Sequence, residues 1–282
     1  MATQRELLDA YNSLSSRLVR GLGVRVAGAF TNLGSWRDAD FERFTKMIEP
    51  TLTGGRLQAA KLQIGFYQQM AKARGESFGA PSISASDFTV PKLRKGAAAQ
   101  EVYRRPFIDV YTALSQKKDM TQAIFAGANR ISSIVSTDMQ LARRNAGFMS
   151  RGANDNIVGY ARTLTGSENC ALCYTASTQR YTRGELMPIH PGCDCGEMQI
   201  YGDQDPGQVI DQIRLDATHE AIGARFGYPD GGARDIGLGK TYTRKDGTIV
   251  SADYTAIAIR EHGELGPLLT VADQHFTGPG SI

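Results

Sequence analysis

Five side chains able to bind a soft metal crowd into one short stretch. They are Cys170, Cys173, His190, Cys193 and Cys195, in the pattern C-x2-C-x16-H-x2-C-x-C. A C-x2-C pair lets two thiolates meet one cation from a tight turn, and a second group about 20 residues later closes a tetrahedral site. Tetrahedral zinc takes four ligands, so at least one of the five is spare, and the spacing does not choose between Cys193 and Cys195. A site with four protein ligands is closed and structural: it holds a small domain together and leaves no position for reacting water. Free thiols, a redox pair or two disulfides are the competing uses of the same residues. Glu168, Glu185 and Glu197 lie nearby, but none sits in an H-E-x-x-H helix.

Nothing else in the chain announces chemistry. His219, His262 and His275 are scattered, and there is no G-x-S-x-G elbow for a serine nucleophile. The glycines near 237–240 lack P-loop spacing, and GLGVRVAG (21–28) does not follow a strand.

The elements that must position the cluster divide the chain in two. Residues 1–150 hold 21 Lys and Arg against 12 Asp and Glu, a charge of +9. Residues 151–282 hold 11 against 17, a charge of −6, and the difference leaves the overall +3. All four cysteines and all four histidines fall in the acidic part. The expected organisation is a basic helical region, 1–152, with a linker near 75–91, followed by an acidic α+β domain, 153–282, built around the Cys/His cluster. With 282 residues, 41% hydrophobic and 22% charged, the chain has the composition of a globular protein of one or two domains. The opening MATQRELLDAYNSL lacks the apolar core of a secretory signal, and no stretch approaches the length of a membrane span. Reduced thiols, and no membrane, are therefore the expectation.

Apolar spacing predicts a first helix from about Leu7, ended by Gly21 and Gly23. A turn follows, then a helix capped by Ser35 and running to Ile48, a break at Pro50, and a helix from Leu52 to Arg74 stopped by Gly75. GESFGAPSISASDFTVP (75–91) reads as a linker or extended arm. A further helix spans about 96–117, kinked or restarted at Pro106. Asp119 caps a last one, about 120–149, whose Ile124, Ala128, Ile131, Val135, Met139 and Ala142 form a core stripe with Arg130, Arg143 and Arg144 at its edge or facing away. Strands are expected at 157–165 and 196–201, a helix from Asp205-Pro206 to about Phe226, a hairpin turn at KDGT (245–248), and an irregular C-terminal tail. The spread of Arg and Lys over helices, with tight clusters only at 92–95 and 104–105, favours a solvated surface. Nonspecific contact with DNA or an acidic partner is the alternative.

The stretch RTLTGSENCALCYTASTQRYTRGELMPIHPGCDC (162–195) resembles the core of the phage Mu F-like minor head proteins, whose C-x2-C is followed by a P-x-H-P-x-C-x-C closure. Pro188, His190, Pro191, Cys193 and Cys195 stand in that closure, with Asp194 where the family usually carries Arg. VYRRPF (102–107), the helix bearing Ser136-Thr137-Asp138, and HGELGP (262–267) are similar to the actinobacteriophage branch. The resemblance implies a virion-associated head-morphogenesis protein with a structural Zn2+ site. It would act in procapsid assembly at or near the portal, inside the head, after synthesis in the host cytoplasm. Portal protein, scaffold or major capsid protein would be its partners. Some relatives carry the label of capsid maturation protease, which leaves an enzyme as the alternative; the sequence itself shows no catalytic group.

Overall fold

The computed structural model describes residues 3–88, 98–164, 195–202 and the short segments 169–170, 177, 180–182, 220, 240–243, 249–252, 257–262 and 266–271. For 169–170 and for the strands from 240 onward it describes the backbone alone. The fold is α+β, mostly helical with small antiparallel sheets, and the chain divides into two compact units, Met1–Asn156 with Leu186–Gly192 and Ile157–Glu185 with Cys193–Ile282. Among the described residues, no helix is long and apolar enough to cross a membrane.

The first unit holds four helices: α1 (Gln4–Thr31), α2 (Asp38–Arg74), α3 (Ala99–Ser115) and α4 (Met120–Gly152). Each start has a local cause. Thr3 and Glu6 form a reciprocal capping box on α1, and the Asp119 carboxylate accepts the Gln122 N–H at 2.8 Å on α4. On α2 the cap lies two residues later than Ser35. Asp40 accepts the Arg37 backbone N–H at 3.0 Å and the Ser35 hydroxyl. The Ser35 hydrogen bond, then the Arg37 N–H, hold the Asp40 carboxyl below its ordinary pKa. Stability from this cap is therefore present above the ordinary carboxylate range and lost as pH falls. Gly75 ends α2 in the left-handed conformation at φ 74°, the turn expected of it.

Two expected breaks are absent. α1 continues through Gly21 and Gly23 to Thr31, because Val26 and Phe30 extend its buried face. Each glycine costs a helix about 1 kcal/mol, less than burial of a Phe returns. α2 continues through Pro50, which is exposed, so water can solvate the carbonyl that loses its amide partner. Pro106 likewise lies inside a continuous α3, buried against α4.

α4 touches the other three helices. Its Ala128, Ile131, Val135, Met139 and Ala142 are buried in one core with Phe30, Phe44, Leu52, Phe107 and Val110, and Ile124 packs against it half-buried. Four aromatic rings meet in this core. Phe30 lies 5.8 Å from Phe44, 5.1 Å from Phe107 and 6.1 Å from Trp36, in edge or tilted contacts. Helices approach closely where glycine permits it. A Cβ on Gly127 would sit 2.7 Å from the Phe30 ring and 2.9 Å from the Pro106 carbonyl oxygen. Gly127→Ala is therefore expected to destabilise the unit by about 1–3 kcal/mol despite alanine's better helix propensity. Gly21→Ala, whose Cβ meets nothing within 4 Å, should stabilise it by about 0.5–1 kcal/mol. Thermal denaturation of the two variants beside the parent checks both signs.

A buried ionic joint crosses this core. Arg56 donates from Nε to Asp138 Oδ1 at 2.9 Å and from Nη2 to Oδ2 at 2.7 Å, and Tyr103 donates its hydroxyl to the same Oδ2 at 2.8 Å. Three helices thus share one carboxylate that is 2% exposed. Burial alone would lower the Arg56 pKa, but the Asp138 hydrogen bond and charge outweigh it and raise the pKa above its ordinary value. Burial first, then the Asp138 charge, pushes the Tyr103 phenol well above its ordinary value.

Arg143 and Arg144 are buried, which corrects the expectation that they lie at an edge or face away; Arg130 is exposed as expected. With Gln140, Gly147 and the fully buried Arg151 they fall three, four or seven positions apart, a second buried face on the C-terminal half of α4. Arg151 donates from Nη1 to the Tyr67 hydroxyl at 3.4 Å.

The Gly/Ser/Pro-rich stretch after α2 has the composition of a linker but is tied down. Asn154 accepts the Gly79 N–H at 2.7 Å through Oδ1 and donates to the Gly79 carbonyl at 2.9 Å. Asn156 donates to the Glu76 carboxylate and to the Ser77 carbonyl, each at 3.0 Å. A short 3-10 turn follows, Ala85–Phe88, in which Ser84 and Asp87 are hydrogen-bonded.

The second unit carries eight strands among the described residues: β1 (Ile157–Thr163), β2 (Asn169–Cys170), β3 (Arg180–Thr182), β4 (Gly196–Tyr201), β5 (Lys240–Thr243), β6 (Ile249–Ala252), β7 (Ile257–His262) and β8 (Gly266–Val271). They pair antiparallel in the orders β3-β1-β4, β2-β7-β8 and β5-β6. β1 and β4 form where expected. β5 and β6 pair from Thr243↔Ile249, around KDGT, whose own residues lie outside the described ones. The helix expected from 205 to 226 also lies outside them, apart from Glu220, which is helical. β8 is not among the expected strands; its sequence runs through Leu268, Leu269 and the β-branched Thr270 and Val271, and it pairs with β7.

Candidate functional site

The site is built on the sheet β3-β1-β4. Register places Arg162 opposite Glu197 and Tyr160 opposite both Gln199 and Tyr181. Alternation along the strands then puts Tyr160, Arg162, Tyr181, Cys195, Glu197 and Gln199 on one face. All six are buried, and the Tyr160 and Tyr181 rings stack at 5.2 Å. Gln199 donates to the Tyr201 hydroxyl at 3.2 Å. Gly159 is required where β1 meets β3, since a Cβ there would lie 2.6 Å from the Tyr181 carbonyl oxygen. The guanidinium of Arg162, 6% exposed, donates from Nη1 to the Sγ of Cys195, itself 2% exposed.

Cys195 is the one sequence-derived ligand whose side chain falls among the described residues. Cys170 is placed by its backbone, in β2, where it pairs with Ala258 of β7. Cys173, His190 and Cys193 lie outside the described residues. Among the described residues, no three His, Cys, Asp or Glu side chains gather as a metal site.

The backbone nevertheless constrains where the cluster's two halves run. Thr163 pairs with Gly196 and Ala161 with Arg180, so the end of β1, the start of β3 and the start of β4 lie at one end of the sheet. The connection from β1 to β3 carries Cys170 and Cys173, and leaves and returns at that end. The connection from β3 to β4 carries His190, Cys193 and Cys195, and arrives there. Cys170 follows Leu164 by six positions, a reach of about 20 Å. Cys170 also belongs to the sheet β2-β7-β8 and Cys195 abuts β4, so the candidate ligands are drawn from two sheets. The soft donor set, two thiols on a tight turn and an imidazole with two more thiols, suits a closed zinc centre.

Sequence reading missed Arg162 as a neighbour of the cluster. The only signal was a charged residue at an inward position of the strand IVGYART. Compared with known proteins, the chain matches no family model, no curated protein and no solved structure.

Proposed function

We propose that the chain is a noncatalytic minor head protein of a bacteriophage, acting in procapsid assembly at or near the portal. In this reading the helical unit supplies a basic surface for the portal, the scaffold or packaged DNA. In the same reading the acidic domain 153–282 folds around a structural Zn2+ held by four of Cys170, Cys173, His190, Cys193 and Cys195, and offers a second contact surface. What carries the reading is a Cys/His motif similar to that family's, carried on two connections that both meet one end of the sheet β3-β1-β4. The metal would supply folding free energy to a unit of short strands rather than chemistry.

Metal analysis tests the zinc part. Purified, reduced protein should hold one equivalent of zinc, whose chelation melts the second unit; less than roughly 0.2 equivalents, with no loss of folding on chelation, overturns it. Co-expression tests the assembly part: the chain should co-purify with portal protein and be found in procapsids or heads. Its absence from both overturns the head-protein reading. Scaffold processing should be unchanged when the cluster residues are substituted singly. Loss of cleavage in one intact variant would instead favour a maturation protease.

A further inference from the structure

We propose that the solvent-facing side of the α1–α2 pair is a polyanion-binding surface fitted to the phosphate backbone of duplex nucleic acid. This rests on the basic-surface part of the reading above, which left portal, scaffold and DNA open, and it chooses among them. Between Asp9 and Asp38 the chain carries Arg17, Arg20, Arg25 and Arg37 and no Asp or Glu. Between Glu49 and Glu76 it carries Arg56, Lys61, Lys72 and Arg74, again with no acid. The fold lays these two acid-free stretches side by side. Tyr11 donates to Gln63 and stacks on Phe66 at 4.4 Å, a Cβ on Gly55 would lie 2.6 Å from the Leu22 side chain, and Gln4 accepts from Arg74 at 3.2 Å, so α1 runs antiparallel along α2.

Arg56 is spent in the buried joint with Asp138. Arg17, Arg20, Arg25, Lys61 and Lys72 are exposed, and none of them forms an ion pair among the described residues. Elsewhere in the helical unit exposed cations meet acids, Arg43 with Asp40, Arg104 with Asp38 and Arg130 with Asp109. The field of the five is therefore not cancelled by neighbours, the condition under which a surface gathers an anionic partner. Arg17 and Arg25 stand ~12 Å apart along α1, and Lys61 and Lys72 ~16 Å apart along α2. A duplex carries one charge per ~1.7 Å of its axis, so a row of phosphates meets such cations in any register. An acidic peptide would have to match five cations spread over two helices. Gly21, Gly28, Gly54 and Gly65 lie in the same two stretches, and a Cβ on any of them would meet nothing within 4 Å, so the surface is low between its cations and a rigid rod can approach it.

Fluorescence anisotropy of the full chain with a labelled DNA duplex tests this. Five phosphate contacts give a slope of about −4.5 for log K against log salt, so affinity should fall about 500-fold between about 50 and 200 mM salt. The combined variant Arg17→Gln, Arg20→Gln, Arg25→Gln, Lys61→Gln, Lys72→Gln should lose most of that slope and bind at least about 100-fold more weakly at the lower salt. The combined variant Arg104→Gln, Arg105→Gln, Lys117→Gln, Lys118→Gln, Arg130→Gln removes the same charge from α3, α4 and the turn between them, and should lose less than about 5-fold. If circular dichroism shows that the first variant does not fold, the pairs Arg17→Gln with Arg25→Gln and Lys61→Gln with Lys72→Gln decide, each expected to reduce the slope by about 2. Equal losses in the two sets, or a parent that holds no duplex at the lower salt, overturn the proposal. Polyglutamate bound more tightly than the duplex overturns it in favour of an acidic protein partner. The head-protein reading is judged separately, by co-purification with portal protein and presence in procapsids or heads.

Discussion

Asp138→Ala should destabilise the helical unit by about 3–5 kcal/mol, the largest effect expected of any single polar substitution in it. The variant takes the bidentate carboxylate from the Arg56 guanidinium, 5% exposed, and leaves the Tyr103 hydroxyl without its acceptor. Glu49, 3.6 Å from Arg56 and half exposed, is too wet to replace a bidentate carboxylate. Replacing both partners, Arg56→Met with Asp138→Leu, should recover most of the loss, because no buried charge is then unpaired. Urea denaturation of the parent, the two single variants and the double variant gives the coupling free energy directly. A loss below about 1 kcal/mol in Asp138→Ala would show that the joint is not buried in solution. The joint also has an alkaline signature. The Tyr103 phenol is held neutral in the folded unit, while an unfolded tyrosine ionises near its ordinary value of 10.0. Its contribution is full below that pH and declines as pH rises from there toward the raised folded value.

Phe30→Ala should cost a comparable amount, about 3–5 kcal/mol, through a different mechanism. Phe30 is 0% exposed and its ring contacts those of Trp36, Phe44 and Phe107, so truncation opens a cavity that three helices border. The same ring fills the space above Gly127, so the close approach of α1 to α4 loses its filling at the same time. Trp36 is the only tryptophan of the chain and lies 6.1 Å from Phe30. Its fluorescence therefore reports this corner of the core during thermal or urea unfolding. A drop in Tm of roughly 6–20 °C is expected for a unit of this size. Phe30→Leu should lose less, since a branched aliphatic side chain refills part of the cavity. Equal stability of the Ala and Leu variants would mean that the cavity collapses fully.

The helices were legible because their signals are local. The apolar stripe of α4, its Asp119 cap and the Gly75 stop need only a few neighbours in sequence to be read. The errors lie where a distant partner decides. Gly21, Gly23 and Pro50 weaken a helix in isolation, yet Phe30 and Phe44 bury on either side of them and carry the helices through. Arg143 and Arg144 look like surface residues in a window of ten, and their burial depends on what packs against the far side of α4. Arg56 and Asp138 stand 82 residues apart, so no spacing rule could couple them. In the candidate site, the Cys/His motif was visible by type and spacing alone. Arg162 was not, because its relation to Cys195 exists only once β1 and β4 have paired.

The clamp at the foot of α4 has a kinetic consequence. Asn154 and Asn156 reach back to residues 75 to 80 positions earlier, whereas α3 and α4 meet across a turn of a few residues. Contacts between sequence neighbours form early, and those that close long loops must wait until loop closure is compensated by other packing. The α3–α4 and α1–α2 hairpins, each joined by a short turn, are thus placed to form early and then to dock on one another. The stretch from Glu76 to Gly79 is fastened last. Apart from Phe78, whose ring meets that of Tyr67 at 6.4 Å, it is held by a few side-chain hydrogen bonds, so amide exchange is expected to report its opening before that of the buried helix faces.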